Sequence, residues 1–427
     1  MSMSNSSVAS QTLLPVSDNE ALGLYARKDP RELYRRAEQQ CLEVFGPGVY
    51  LRGLIEYTNY CTQGCLYCGI ARDLPNPAGP EPGAGARDTG RQPKTVSRGE
   101  STDHRDSADH PTPREFPNLS THGASLDRSS RGVGEHRKKT RISRYRLDEQ
   151  RIMEVIRRGM DAGLRSFVLQ GGEDPSWQPH RLCRLVETIK TAIARSSAPD
   201  TALTLSAGCL AIPVYRRLAD SGLDRYLLRF ETSDPVLFSN LRPGTSLTRR
   251  IDTLRAIRDA GLEVGSGYMT GLPGETEETR INNALVCRDL GVDMVGVGPF
   301  IPHPATPLGT APQQPLELAL KATALLRLLL PQANIPATTA AGTLHPRGRE
   351  AMLCAGANVL MPNITPVDKK PMYQLYPGKI CITESGFECL SCLSIKTRTI
   401  RRTLDYSRGT SPGFTPPNQG GQPCLSL

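Results

Sequence analysis

An α/β fold, a (β/α)8 TIM barrel, is predicted by three observations. Short apolar, β-branched runs alternate with amphipathic helical patterns, the signature of repeated βα units around a parallel sheet. Eight such runs can be counted, as many as one barrel needs. The unusual polar and glycine-rich residues collect where the runs end, and in a barrel those ends form the catalytic face.

In chain order the strand candidates are "VYLRGLIEYT" (49–58), "SFVLQGG" (166–172), "TALTLSAG" (201–208), "RYLLRFE" (225–231), "EVGSGYMTG" (263–271), "DMVGVGPF" (293–300), "IPATTA" (335–340) and "NVLMP" (358–362). Between them lie "DEQRIMEVIRRGMDAG", "QPHRLCRLVETIKTAIA", "SLTRRIDTLRAIRDAG" and "ETEETRINNALVCRDLG", several closed by a glycine at the helix end. The strand ends then read Glu56 into a cysteine-rich loop, Gly171-Gly172-Glu173-Asp174, Arg229-Phe230-Glu231, Gly267 to Gly274, Pro299 to Pro304, and Thr338-Thr339.

The barrel is expected over 21–73 and 141–380, behind a flexible N-terminus of 1–20. Residues 74–140 are rich in Pro, Gly, Ser and charge and contain one aromatic, Phe116. Such a stretch cannot bury enough apolar surface to offset its ordering entropy, so it reads as a disordered insertion. Its removal should leave folding intact, and a misfolded product of a 75–140 deletion would show that the segment packs. Residues 381–404 form a C-terminal cysteine segment, and 405–427 read as a disordered tail.

The formal charge of +9 is unevenly placed: residues 74–143 carry +3 and 393–427 carry +4, leaving +2 for the rest. With no basic stripe interleaved with aromatics, a nucleic-acid groove is not expected. The N-terminus lacks a cationic start followed by an apolar core, and no apolar run approaches the roughly 18 residues a membrane span requires. A cytoplasmic protein without a membrane partner is the expectation.

Six of the twelve cysteines fall in two tight clusters, which favours metal binding over a disulfide framework. "YCTQGCLYCGI" (60–70) places Cys61, Cys65 and Cys68 at Cys-x3-Cys-x2-Cys spacing with Tyr67 before the last. Structural zinc usually closes with four protein ligands. Three thiolates on one loop can instead hold three irons of a 4Fe-4S cluster and leave the fourth iron open; zinc remains the alternative.

This spacing resembles the signature of radical S-adenosylmethionine (SAM) enzymes. The resemblance implies that SAM chelates the open iron and is cleaved to a 5′-deoxyadenosyl radical. It also implies a SAM clamp: Gly171, Gly172 and Glu173 at the methionine ammonium, Glu231 and Arg250 at the ammonium and carboxylate, and Met269 in the flexible segment against the adenine. Taken singly, a Gly-Gly turn or a helix cation is common and uninformative.

Longer stretches narrow the family. "RFETSDPVLFSNLRPGTS", "GYMTGLPGETEET", "DMVGVGPFIPHPATPL", "NIPATTAAGTLHPRGRE" and "GANVLMPNITPVDKKPMYQLYPGKIC" closely resemble the HydE-type maturases of FeFe-hydrogenase, over most of 20–400 outside the insertion. The resemblance implies assembly of the dithiomethylamine bridge of the di-iron site. The implied substrate is an iron–carbonyl–cyanide cysteine complex from a tyrosine-cleaving maturase, the product passes to a GTPase scaffold maturase, and ferredoxin or flavodoxin donates the electron.

Carried over by position, the substrate residues are Arg52, Thr204, Arg229, Met294, Thr338, Thr339 and Tyr373. Cys381, Cys389 and Cys392 match the family's second set, implying a second iron–sulfur cluster (2Fe-2S or 4Fe-4S), with zinc or an empty thiol set as alternatives. Two departures stand out: the insertion, and Phe230 where a histidine is common. Methylornithine synthase, biotin synthase and a non-catalytic iron–sulfur or zinc protein are the competing readings.

Overall fold

The computed structural model describes residues 16–72 and 143–416, so the expected insertion lies outside the described residues. Its strands are β1 (Gly48–Leu51), β2 (Gly53–Thr58), β3 (Ser166–Gly171), β4 (Ala202–Ser206), β5 (Arg225–Leu227), β6 (Glu263–Thr270), β7 (Met294–Pro299), β8 (Val359–Leu360) and β9 (Thr403–Asp405). Strands β2 to β7 pair in chain order as one parallel, curled six-stranded sheet. Three isolated parallel bridges close the ring: Met294 to Asn334, Pro336 to Val359, and Asn363 back to Leu54.

The eight expected strands are thus present as six strands in continuous ladders plus two short segments. "IPATTA" reaches only bridges because Pro336 has no N–H to donate and Thr338 already caps a helix. The first expected strand is divided at Arg52: its earlier half, β1, pairs in parallel with β8 on one edge and β9 on the other, while its later half, β2, pairs with β3.

The helices are α1 (Asp18–Tyr25), α2 (Arg31–Phe45), α3 (Glu149–Asp161), α4 (Pro179–Ala194), α5 (Ile212–Asp220), α6 (Pro235–Leu241), α7 (Leu247–Asp259), α8 (Glu277–Asp289), α9 (Glu317–Leu329), α10 (Thr339–Leu344), α11 (Gly348–Cys354) and α12 (Glu388–Thr399). Helix α3 shows how sequence builds this layer. Asp148 caps it by accepting from the Arg151 N–H at 2.7 Å, Ile152, Met153, Val155 and Ile156 face the sheet, and Gly163 reverses the chain at φ +92°. Among the described residues no helix is long and apolar enough to cross a membrane.

The tail departs from expectation. After β9 the chain turns under the barrel, and Arg408 to Ser411 pack against the N-terminal ends of the strands; residues after 416 lie outside the described residues. Arg225, fully buried, pairs with Glu263 at 2.6 Å and donates to Ser166 Oγ and to the Arg408 carbonyl, both at 2.9 Å. Arg52 donates to the Gly409 carbonyl at 2.9 Å, and the Ser411 N–H donates to Glu263 Oε1 at 3.1 Å. A composition poor in apolar residues packs here because its backbone groups satisfy buried charges of the barrel. The N-terminus differs too: Asp18 already opens α1, capped by Ser17.

Candidate functional site

The cysteine loop leaves β2 at the C-terminal mouth of the barrel and is tied down from four sides. The Thr62 N–H and hydroxyl both donate to the Glu173 carbonyl at 3.0 Å. The Leu66 N–H donates to the Leu241 carbonyl and the Gly69 N–H to the Leu375 carbonyl, each at 3.0 Å. Arg144, the second described residue after the insertion, donates to the carbonyls of Ile70 at 2.7 Å and Ala71 at 2.6 Å, and to that of Asn59.

Cys65 is buried, and Cys61 and Cys68 are half-buried. Burial pushes all three thiols above their usual range, Cys68 furthest. Three neutral thiols in a water-poor loop suit replacement of their protons by a cationic metal group. Their sulfurs do not all lie within 4.8 Å of one another, a spread wider than one ion's coordination sphere and suited to three corners of a cluster.

Below the loop a cavity of about 360 Å³ runs into the barrel. Cys61, Cys65, Cys68, Tyr67, Gly171, Gly172, Glu173, Arg229, Glu231, Arg250, Met269, Thr338, Thr339 and Tyr373 line it, so fourteen positions singled out in the sequence converge on one space. A larger groove of about 500 Å³ lies on the outer face between α7 and α8 and includes none of the cysteines.

The charged wall is arranged in pairs. Glu231, held at φ +71° by a bridge to Tyr268, receives Arg229 Nε at 3.1 Å. Glu173 faces Arg250 at 3.8 Å and Arg242 at 4.0 Å. Arg242 also donates to Tyr67 Oη at 2.7 Å, so the tyrosine before the last cysteine is anchored by a buried guanidinium. At the far wall Lys379 pairs with Glu56, whose other oxygen receives Asn363 Nδ2 at 2.9 Å. Gln170 donates to Tyr373 Oη at 3.3 Å, and Arg349 to Thr339 Oγ1 at 3.2 Å.

Arg52, Thr204 and Met294 do not line this space. They form the barrel layer beneath it: Arg52 donates to Met294 Sδ at 2.6 Å and to the tail, and Thr204 sits one inward position below Ser206. Period-two alternation places all three inside the barrel but says nothing of their height in it. Burial, with Arg225 nearby, lowers the Arg52 pKa to about 9.

Gly172 is glycine for a reason other than ligand approach. A Cβ there would meet the Tyr60 carbonyl oxygen at 2.2 Å and Cys61 Cβ at 2.7 Å. Gly172→Ala should therefore push the cysteine loop outward, costing about 1–3 kcal/mol and lowering iron loading while the barrel still folds. Iron per folded chain after anaerobic reconstitution checks this; normal loading would show that the loop tolerates the displacement.

At the C-terminal set, ligand atoms of Cys381, Glu384 and Cys389 lie within 4.8 Å of one another, whereas Cys392 is exposed and outside the group. The expected trio is thus not the set that converges. Glu384, like Arg144, Arg242 and Lys379, was not picked out from sequence, whereas Glu56 was read as a strand end but not as a partner of Lys379. Arg242, in "NLRPG", and Lys379, in "YPGKIC", fall inside the family-like stretches and were open to notice; Arg144 and Glu384 carried no local signal.

The radical SAM superfamily profile matches residues 55–285. The FeFe hydrogenase maturase subunit HydE of Thermotoga maritima is 36% identical over 374 residues, 88% of this chain and 87% of that protein. A 3-methylornithine synthase of Methanosarcina acetivorans is 31% identical over 237 residues, covering 54% of this chain and 64% of its own. Among solved structures, methylornithine synthase (PylB) superposes with a TM-score of 0.65 at 22% identity, covering 92% of this chain and 95% of that one. The maturase HydG gives 0.63 at 14% identity, covering 92% and 73%; at these identities the two structures speak for the fold alone. The chain belongs to the radical SAM superfamily and, within it, to the family of the FeFe-hydrogenase maturase HydE.

Proposed function

We propose that this enzyme cleaves SAM reductively and spends the radical on a small anionic metal complex during assembly of the FeFe-hydrogenase di-iron site. The observation that carries the reading is the single cavity joining three cysteine thiols to charged pairs at one end and to Tyr373, Thr338 and Thr339 at the other. Cys61, Cys65 and Cys68 would hold a 4Fe-4S cluster, which when bound supplies the electron that breaks the sulfonium of SAM.

The remaining roles belong to side chains of the cavity wall. Glu173 and Glu231 would accept from the ammonium of SAM and Arg250 would donate to its carboxylate, groups that are paired with one another or with Arg229 in the cavity wall. Met269 and the glycine-rich segment after β6 receive the adenine. Arg229 and Lys379, both lining the cavity, offer positive charge to an anionic substrate such as an iron–carbonyl–cyanide cysteine complex. The buried walls exclude water from the reacting groups.

The tyrosine-cleaving and GTPase scaffold maturases, and a ferredoxin or flavodoxin, are the partners this reading requires. The test is maturation of apo-hydrogenase in a defined mixture with those maturases. Arg229→Ala should lower maturation at least tenfold while the iron content stays at four per chain. Full maturation by the variant, or conversion of lysine to methylornithine by the wild type, would overturn the assignment.

A further inference from the structure

The family resemblance leads one to expect a second iron–sulfur cluster on Cys381, Cys389 and Cys392. The donor set that converges does not fit it. From that set we infer that Cys381, Glu384 and Cys389 form a site for a single tetrahedral divalent ion of the zinc type, with Cys392 as its fourth ligand.

Spacing is the first ground. The three donor atoms lie within 4.8 Å of one another. Around one zinc with bonds of about 2.0–2.3 Å, tetrahedral geometry puts ligand atoms about 3.3–3.8 Å apart. Thiolates on different irons stand farther apart because sulfides and a second metal intervene, and the Cys61 set has that wider spread.

Donor chemistry is the second. Iron–sulfur clusters are held by thiolates, whereas a carboxylate oxygen mixed with thiolates suits a borderline ion. Cys392, one turn along α12 from Cys389, has the Cys-x2-Cys spacing of zinc sites and an exposed side chain free to rotate inward.

The surroundings hold the backbone at Glu384 in place and leave its exposed carboxylate facing the two thiols. Buried Lys370 donates to the Glu384 carbonyl at 2.6 Å, and Ser385 and Glu388 bond reciprocally, the Ser385 N–H to Glu388 Oε2 at 2.9 Å and the Glu388 N–H to Ser385 Oγ at 3.3 Å. Lys370 and Arg349, both beside the thiols, offset the negative charge of the ligand set. Lys379, two residues before Cys381, pairs with Glu56 in the cavity wall, so the ion would fasten that wall from outside.

The experiment uses the full chain in two states. Purified without chelators and with its first cluster loaded, the wild type should contain one zinc and four irons per chain by elemental analysis. Cys389→Ser should lose the zinc and keep the iron. In the C61A/C65A/C68A background, cobalt(II) should bind in one equivalent with thiolate charge-transfer and intense tetrahedral bands and be displaced by zinc. Glu384→Gln and Cys392→Ser should each weaken cobalt binding at least about tenfold. Iron and sulfide above four per chain that fall to four in Cys389→Ser, with no cobalt bound, would overturn the inference, as would unchanged cobalt affinity in Glu384→Gln. None of these readouts depends on SAM cleavage or maturation.

Discussion

Replacing Cys61, Cys65 and Cys68 together by alanine is expected to remove the iron of the barrel mouth and to abolish formation of 5′-deoxyadenosine under dithionite. The effect should be complete because, among the described residues, no other set lines the cavity: Cys381, Cys389 and Cys392 lie outside it. Of the remaining cysteines, Cys41, Cys183, Cys287 and Cys354 are buried away from the cavity, and Cys209 stands alone near Arg250. The fold should survive. The loop is held by Arg144, by the backbone bonds of Thr62, Leu66 and Gly69, and by Gln63 Nε2 on Glu173 at 3.0 Å, none of which uses a sulfur as donor or acceptor. A variant with normal circular dichroism, no iron and no 5′-deoxyadenosine is the predicted outcome. Retained SAM cleavage would break the link between these thiols and the chemistry, and with it the proposed function.

What could be read from sequence follows the range of the interaction. The Cys-x3-Cys-x2-Cys loop is local, so its spacing pointed to a metal group, and its place at a strand end with the downstream elements favoured a cluster over zinc. Glu231 and Arg250 were legible through the family resemblance, which could be mapped onto them because one closes an evident strand and the other lies on the helix that follows. Arg144 was not, since its partners Ile70 and Ala71 lie 74 and 73 positions away across a segment with no pattern. Gly172 was recognised as a functional glycine, yet its close neighbour is the Tyr60 carbonyl, a contact visible only once β3 and the loop are side by side. Arg52, Thr204 and Met294 share the inward face with cavity residues but sit a layer lower. Height depends on how far each strand is staggered in the barrel, which hydrophobic alternation does not encode. The tail failed for another reason: its buried groups are mainly backbone carbonyls and amides, which composition does not register.

That tail carries the second large effect. A chain ending at Tyr406 should be less stable by roughly 3–5 kcal/mol, because several barrel groups lose partners at once. Arg225 would lose the Arg408 carbonyl, and Arg52 and Asn334 would lose the Gly409 carbonyl at 2.9 and 3.0 Å. Glu263 would lose the Ser411 N–H, and Asp224 the Arg408 guanidinium. Arg52 and Arg225 are both buried beside the one carboxylate of Glu263, so their carbonyl acceptors matter more than they would at a surface. Water entering from below would recover part of the loss, which is why the expected cost is below the sum of five unsatisfied groups. Arg408→Ala provides the contrast. It deletes a partly exposed ion pair but keeps the backbone, so it should cost no more than about 1 kcal/mol. Thermal melts of the two variants decide the point: equal midpoints would mean that the side chain of Arg408, and not the carbonyls of the turn, closes the barrel.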